Sequence, residues 1–133
     1  MRSTKKKIQS LGDLQLAILR ALWARGEATV AEVHAALASE RGLAPTTIAT
    51  MLKKMEKKGV VAHRSENRRF IYRAAVSEDA VTRSLVASLT ERLFGGDALA
   101  LVSHLVSEHD VDPGELDEIK SRVAAVKNKE RER

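Results

Sequence analysis

The chain has 133 residues, 44% of them hydrophobic and only 2 of them proline, a composition that excludes general disorder. Cysteine is absent, which removes disulfides, thiolate metal sites and cysteine nucleophiles together. The net charge of +5 is unevenly divided: residues 1–75 carry 15 Lys and Arg against 6 Asp and Glu, a balance of +9, whereas residues 76–133 carry 8 against 12, a balance of −4.

From the N-terminus, the basic stretch Met1 to Lys7 leads into Ile8, Gln9 and Ser10 rather than an apolar run, so it is no secretory signal and export is not expected. No later apolar run reaches the length of a bilayer span, and membrane insertion is not expected. Between Leu11 and Arg25, the residues Leu11, Leu14, Ile18 and Leu22 recur at three- and four-residue spacing, with Leu19 and Trp23 beside them. That spacing predicts an amphipathic helix, which Gly26 ends. Thr29-Val30-Ala31-Glu32 is a capping box and opens a second helix to about Ser39, buried through Val30, Val33 and Leu37. Residues Glu40 to Leu43 read as a turn, and Pro45 stands in the first turn of a third helix whose inner face is Ile48, Met51, Leu52 and Met55, with Gly59 at its end. Three short helices joined by tight turns are the sequence form of a helix-turn-helix core.

After Gly59 the period changes from about 3.6 to 2. Val60 to His63 and Phe70 to Arg73 are β-prone runs around a polar loop, Arg64 to Arg69, so a hairpin with a basic tip follows the third helix as a wing. Ser77-Glu78-Asp79 caps a further helix in which Val81, Leu85, Leu89 and Leu93 lie one turn apart. Gly95-Gly96 breaks it. Leu99, Val102, Leu105 and Val106 follow in a short apolar helix, and Asp112-Pro113-Gly114-Glu115 starts a last one carrying Leu116, Ile119, Val123 and Val126, with a charged, frayed tail from Lys127.

The expected fold is therefore mainly α with a small β-hairpin. A winged helix-turn-helix domain spans 10–75, a helical dimerisation region 76–128, and flexible tails 1–9 and 129–133. The C-terminal helices bury their stripes poorly within one chain, so a homodimer is expected through Val81, Leu85, Leu89, Leu93, Leu99, Val102, Leu105, Leu116, Ile119 and Val123.

The basic part suits double-stranded DNA, because each neutralised phosphate releases condensed counterions. Thr46, Thr47, Thr50, Lys53, Lys54 and Lys57 fall on the face of the third helix opposite its apolar stripe. Thr meets a base edge or a thymine methyl, while Lys is a point charge that positions without specifying. Arg64, Arg68 and Arg69 of the hairpin reach an adjacent phosphate or a narrow minor groove. A rival reading from another class is a basic protein-interaction module without sequence-specific DNA binding.

Leu11-Gly12-Asp13 leading to Trp23, Ala44-Pro45-Thr46-Thr47-Ile48 leading to Lys57-Lys58-Gly59, and Phe94-Gly95-Gly96 followed by Leu99 to Leu105 stand at the spacing of a known family. From Leu11 to about Val126 the chain resembles the penicillinase repressors, winged-helix regulators of β-lactamase and methicillin-resistance genes. The resemblance implies a cytoplasmic homodimeric repressor on an inverted-repeat, palindromic operator, with contacts from Thr46, Thr47, Thr50, Lys53, Lys54 and the neighbourhood of Arg68. It also implies an antibiotic-resistance or cell-wall-stress role and release by a membrane sensor protease that cuts the C-terminal part, here at His104–Leu105. The family's base-reading arginine is Ala49 in this chain, so the operator sequence does not transfer, and the family's helix-capping Ser is Ala44.

No enzyme and no cofactor are expected, since no carboxylate pair, phosphate-binding loop or catalytic Ser-His pair appears. His104 and His109 lie about 140° apart around a helix and do not converge, and His34 and His63 are isolated, so no metal is expected. The absence of cysteine excludes the copper-thiolate sensing of related repressors.

Overall fold

A computed structural model describes residues 7–109 and 111–131, and residues 39–41 by backbone alone. In chain order the elements are α1 (Asp13–Arg25), β1 (Ala28–Thr29), α2 (Val30–Arg41), α3 (Pro45–Lys58), β2 (Val61–Glu66), β3 (Arg69–Ala74), α4 (Glu78–Phe94), α5 (Ala98–Glu108) and α6 (Pro113–Arg131). They fall into two compact units, Met1–Leu89 and Thr90–Arg133.

In the first unit, α1 turns Ile18, Leu19 and Leu22 inward, α2 adds Val33, and α3 adds Ile48, Leu52 and Met55, all fully buried. Each helix starts and stops for a local reason. Thr29 Oγ1 accepts the Glu32 N–H while Glu32 Oε1 accepts the Thr29 N–H, so the capping box forms as its spacing predicts. At α3, Pro45 occupies the first turn, and Ala44 makes no side-chain cap. Gly59 ends α3 at φ 83, a left-handed conformation that costs glycine little and turns the chain straight into β2. The second helix runs on to Arg41, through residues the sequence assigns to a turn, and Gly42 ends it in the left-handed region.

The sheet has the order β1-β3-β2, antiparallel throughout. β1 carries no signal in the sequence, because two residues are too short to show a period; Ala28 pairs with Tyr72 and Thr29 with Ile71. The polar loop expected over Arg64 to Arg69 contracts to two residues, since Glu66 pairs with Arg69. Asn67 and Arg68 both take positive φ, 51 and 65, the signature of a type I′ turn matched to strand twist.

Three of the sequence expectations for the first unit are corrected. Val81 is 2% exposed and belongs to the same core as Leu22 and Tyr72, so it faces no partner; Leu85 is partly buried against that core. Trp23 Nε1–H also donates to the Val76 carbonyl at 2.9 Å, tying α1 to the segment ahead of α4. The compact unit therefore continues to Leu89, beyond the boundary expected at residue 75. The flexible tail expected over 1–9 is likewise too long: residues 7–9 are helical and Ile8 is buried in the core, while 1–6 lie outside the described residues.

Around the break at Gly95 and Gly96, both with positive φ, α4 gives way to α5, which Asp97 caps by accepting the Ala100 N–H. Asp112 does the same for α6 through the Glu115 N–H. That helix continues through Arg131, past the expected start of the frayed tail at Lys127, and 132–133 lie outside the described residues. Among the described residues of the second unit, no side chain is buried. No helix among the described residues is long and apolar enough to cross a membrane.

Candidate nucleic-acid interface

The core grips α3 by one face only. Ile48, Leu52 and Met55 are buried, and the opposite face leaves Thr46, Thr47, Thr50, Lys53, Lys54 and Lys57 exposed. The structure thus gathers the six helix residues named from sequence onto one surface. The Thr50 hydroxyl donates to the Thr46 carbonyl at 2.9 Å, which leaves its oxygen as an acceptor. Ala49 is half-buried between the two faces.

Lys58 does not share that surface. Its Nζ donates to Gln15 Oε1 at 3.1 Å and Ser10 Oγ at 3.3 Å, drawn toward α1 at the edge of that face. Gln15 is buried, accepts from Lys58, and donates Nε2–H to Met51 Sδ at 3.2 Å, a polar bolt between α1 and α3. Sequence reasoning missed it, because a Gln inside a helical pattern reads as surface; its place among Leu11, Leu14 and Ile18 is the signal that finds it. A second bolt is His34, whose Nε2–H donates to the Leu43 carbonyl at 2.6 Å and holds α2 against the residue just ahead of α3.

The wing places Arg68 in its turn and Arg69 at the first residue of β3, both exposed. Arg64 is different. Its Nε and Nη2 donate to the two carboxylate oxygens of Glu27 at 2.9 and 3.2 Å, and its Nη1 donates to Glu66 Oε2 at 2.6 Å. The hydrogen bond from Arg64 holds the Glu27 carboxyl below its ordinary range, and the same contacts push the guanidinium further up. Arg64 is thus a bidentate strut from the turn after α1 to the hairpin, with its charge matched by two carboxylates.

Among the described residues, no group of three or more His, Cys, Asp or Glu is gathered as a metal site. His104 lies in α5 with its ring 6.0 Å from Phe94, and the His104–Leu105 bond is helical with both residues exposed in the single chain.

A helix-turn-helix core, a three-stranded sheet ending in a basic hairpin, and a threonine-lysine face on the third helix define a winged-helix, DNA-binding transcriptional regulator. The family model described as "Penicillinase repressor" matches residues 11–125. A penicillinase repressor of Bacillus licheniformis is 26% identical over 127 residues, covering 96% of this chain and 99% of the relative. The transcriptional regulator BlaI of Mycobacterium tuberculosis is 34% identical over 108 residues, 80% of this chain and 78% of the relative. The crystal structure of the YusO protein from Bacillus subtilis matches 96% of this chain and 83% of its own at TM-score 0.55 and 16% identity, a likeness of fold alone. The chain belongs to the penicillinase repressor family. It is a DNA-binding transcriptional repressor.

Proposed function

We propose that the protein represses its target genes as a homodimer on an inverted-repeat operator, in the cytoplasm, with α3 of each protomer in a major groove and each wing on the flanking backbone. Thr46, Thr47 and Thr50 meet base edges at the N-terminal end of α3. Lys53, Lys54 and Lys57, with Arg68 and Arg69, neutralise phosphates. The observation that carries this reading is the segregation of α3: the threonines and three lysines are exposed together, while the fourth lysine, Lys58, is held by Ser10 and Gln15.

The second unit supports the dimer. Leu93 and Leu99 are 70% and 75% exposed, and Val102 and Leu105 of α5 and Ile119 and Val123 of α6 are exposed as well. Leu89, in the last residue of the first unit, is exposed as well, and Leu116 is half-buried. A 44-residue unit with no buried side chain among its described residues lacks a core of its own there, and a second copy is the economical source of one. Cleavage at His104–Leu105 would divide α5 and detach α6 from that interface, once local unwinding opens the helix to a protease. The names of the relatives, a penicillinase repressor and a methicillin resistance regulatory protein, extend the reading to control of antibiotic-resistance genes.

Electrophoretic mobility shift on the promoter of the protein's own operon tests the reading. A complex that survives excess unrelated duplex, forms on a palindrome, and is strongly weakened when the chain ends at Leu89 is the expected result. Equal, weak retention of all duplexes would favour a basic protein-interaction module instead, and normal dimeric binding by the shortened chain would remove the role assigned to α5 and α6.

A further inference from the structure

Between α3 and the hairpin lies an open groove of about 450 Å³ lined by Lys53, Glu56, Lys57, His63, Phe70 and Tyr72. Phe70 is 45% exposed, and among the described residues it is the one exposed large apolar side chain ahead of α4. An exposed aromatic on an otherwise polar surface calls for a reason. Its ring is held up rather than loose. It stacks on the His63 imidazole with centroids 4.3 Å apart, His63 Nδ1–H donates to Glu56 Oε1 at 2.6 Å, and the buried Tyr72 ring lies 5.5 Å from His63. Glu56 is the acidic group of the lining, and that bond engages its carboxylate. Lys53 and Lys57 stand on the opposite wall, one turn or about 6 Å apart along α3.

We infer that this groove takes the sugar-phosphate backbone of one duplex DNA strand, with Phe70 packed on a deoxyribose and Lys53 and Lys57 on phosphates beside it. The inference rests on the DNA-binding reading above and deepens it. A helix in the major groove and a wing in the adjoining minor groove are separated, on the DNA, by one backbone strand, and that strand has to pass between α3 and β2-β3. Its chemistry alternates an apolar sugar face with an anion. The groove alternates in the same way, with an aromatic wall opposite two cations. Phe70 acts on any sequence, because every nucleotide carries the same sugar. The His63–Glu56 pair is a positioning element that keeps the ring turned outward.

Fluorescence anisotropy with operator and unrelated duplexes, over a salt series, tests the assignment. Phe70→Ala weakens both duplexes by the same factor, on the order of tenfold for an aromatic ring losing its contact area, at an unchanged salt slope, and Phe70→Tyr restores binding. Lys57→Ala weakens both duplexes and lowers the salt slope by about 0.9. Hydroxyl-radical footprinting of the unmodified protein provides a reading independent of any variant's folding, since the radical attacks deoxyribose: a protected patch on one strand at the junction of major and minor grooves is expected. Unchanged affinity in Phe70→Ala, a loss confined to the operator, or sugars left unprotected at that junction would each overturn the inference while leaving the repressor intact. Failure of the unmodified protein to prefer its operator would instead strike the parent reading.

Discussion

Removing the Arg64 strut together with its carboxylate partner separates a structural arginine from a DNA-contacting one. In Glu27→Gln/Arg64→Gln the net charge of the chain is conserved, and the bidentate contact at 2.9 and 3.2 Å is lost along with the 2.6 Å bond to Glu66. A cation that neutralises a phosphate contributes about 0.9 to the slope of log K against log salt, which over a fourfold rise in salt is about a 3.5-fold change in affinity per contact. Arg68 and Arg69 are exposed at the tip of the hairpin, so each is expected to show that change when replaced by Gln. Arg64, already facing two carboxylates, is expected to show none: the double variant keeps the parental slope between 50 and 200 mM salt, values at which about 0.9 per contact is readily resolved. Its defect is geometric, a wing less firmly held, and it appears as a uniform loss at every salt concentration. Filter binding or anisotropy across the salt series measures both quantities, and the single variants complete a cycle that isolates the coupling of Glu27 to Arg64. A fall in slope for the double variant as large as that for Arg68→Gln would refute the strut and return Arg64 to the phosphate contacts.

Three further predictions concern stability. A chain ending at Ala74 lacks the Val76 carbonyl that accepts from Trp23 and the buried Val81, so it should be less stable than one ending at Leu89 by about 2 kcal/mol or more, read from urea unfolding by Trp23 fluorescence; coincident curves would sink the extended first unit. Glu32 has its carboxyl lowered, first by the Thr29 backbone N–H and then by Arg25, so its contribution is present above the ordinary carboxylate range and is lost as pH falls through the lowered value. Glu32→Gln should therefore remove part of the acid-induced loss of stability below about pH 4.5, seen in melts at stepped pH, and an unchanged acid profile would contradict the assignment. Arg68 holds φ 65 in a turn position where glycine is at ease, so Arg68→Gly should raise stability by up to about 1 kcal/mol while weakening DNA binding; a variant less stable than the parent would show that the turn is not strained.

The elements readable from sequence were those whose signals are local. The three- and four-residue spacing of Leu11, Leu14, Ile18 and Leu22, the Thr29–Glu32 box, Pro45 at the start of α3 and Gly59 behind it each act within a turn or two of chain, and the helices formed where they point. The recognition face was legible for the same reason: once α3 buries Ile48, Leu52 and Met55, helical geometry sends Thr46, Thr47, Thr50, Lys53, Lys54 and Lys57 the other way. The identity of the hairpin was legible too, but not its exact turn, because Arg64 to Glu66 look like loop residues until cross-strand pairing makes them strand.

What only the tertiary structure decided concerns partners far apart in the chain. Periodicity places Val81, Leu85, Leu89 and Leu93 on one stripe and cannot say that the stripe changes owner along its length, from the core of the first unit at Val81 to open surface at Leu93. Composition counts Arg64 as one more cation of a basic hairpin, and only the fold brings Glu27, 37 residues earlier, against it. Lys58 and Lys57 are neighbours in sequence, yet one is bound to Gln15 and the other is exposed, because 100° of helix rotation points one back toward α1 and leaves the other in solvent. Local sequence thus determined which helices form and which face of α3 is polar, while long-range packing decided which of the charges on that basic half remain free to meet DNA.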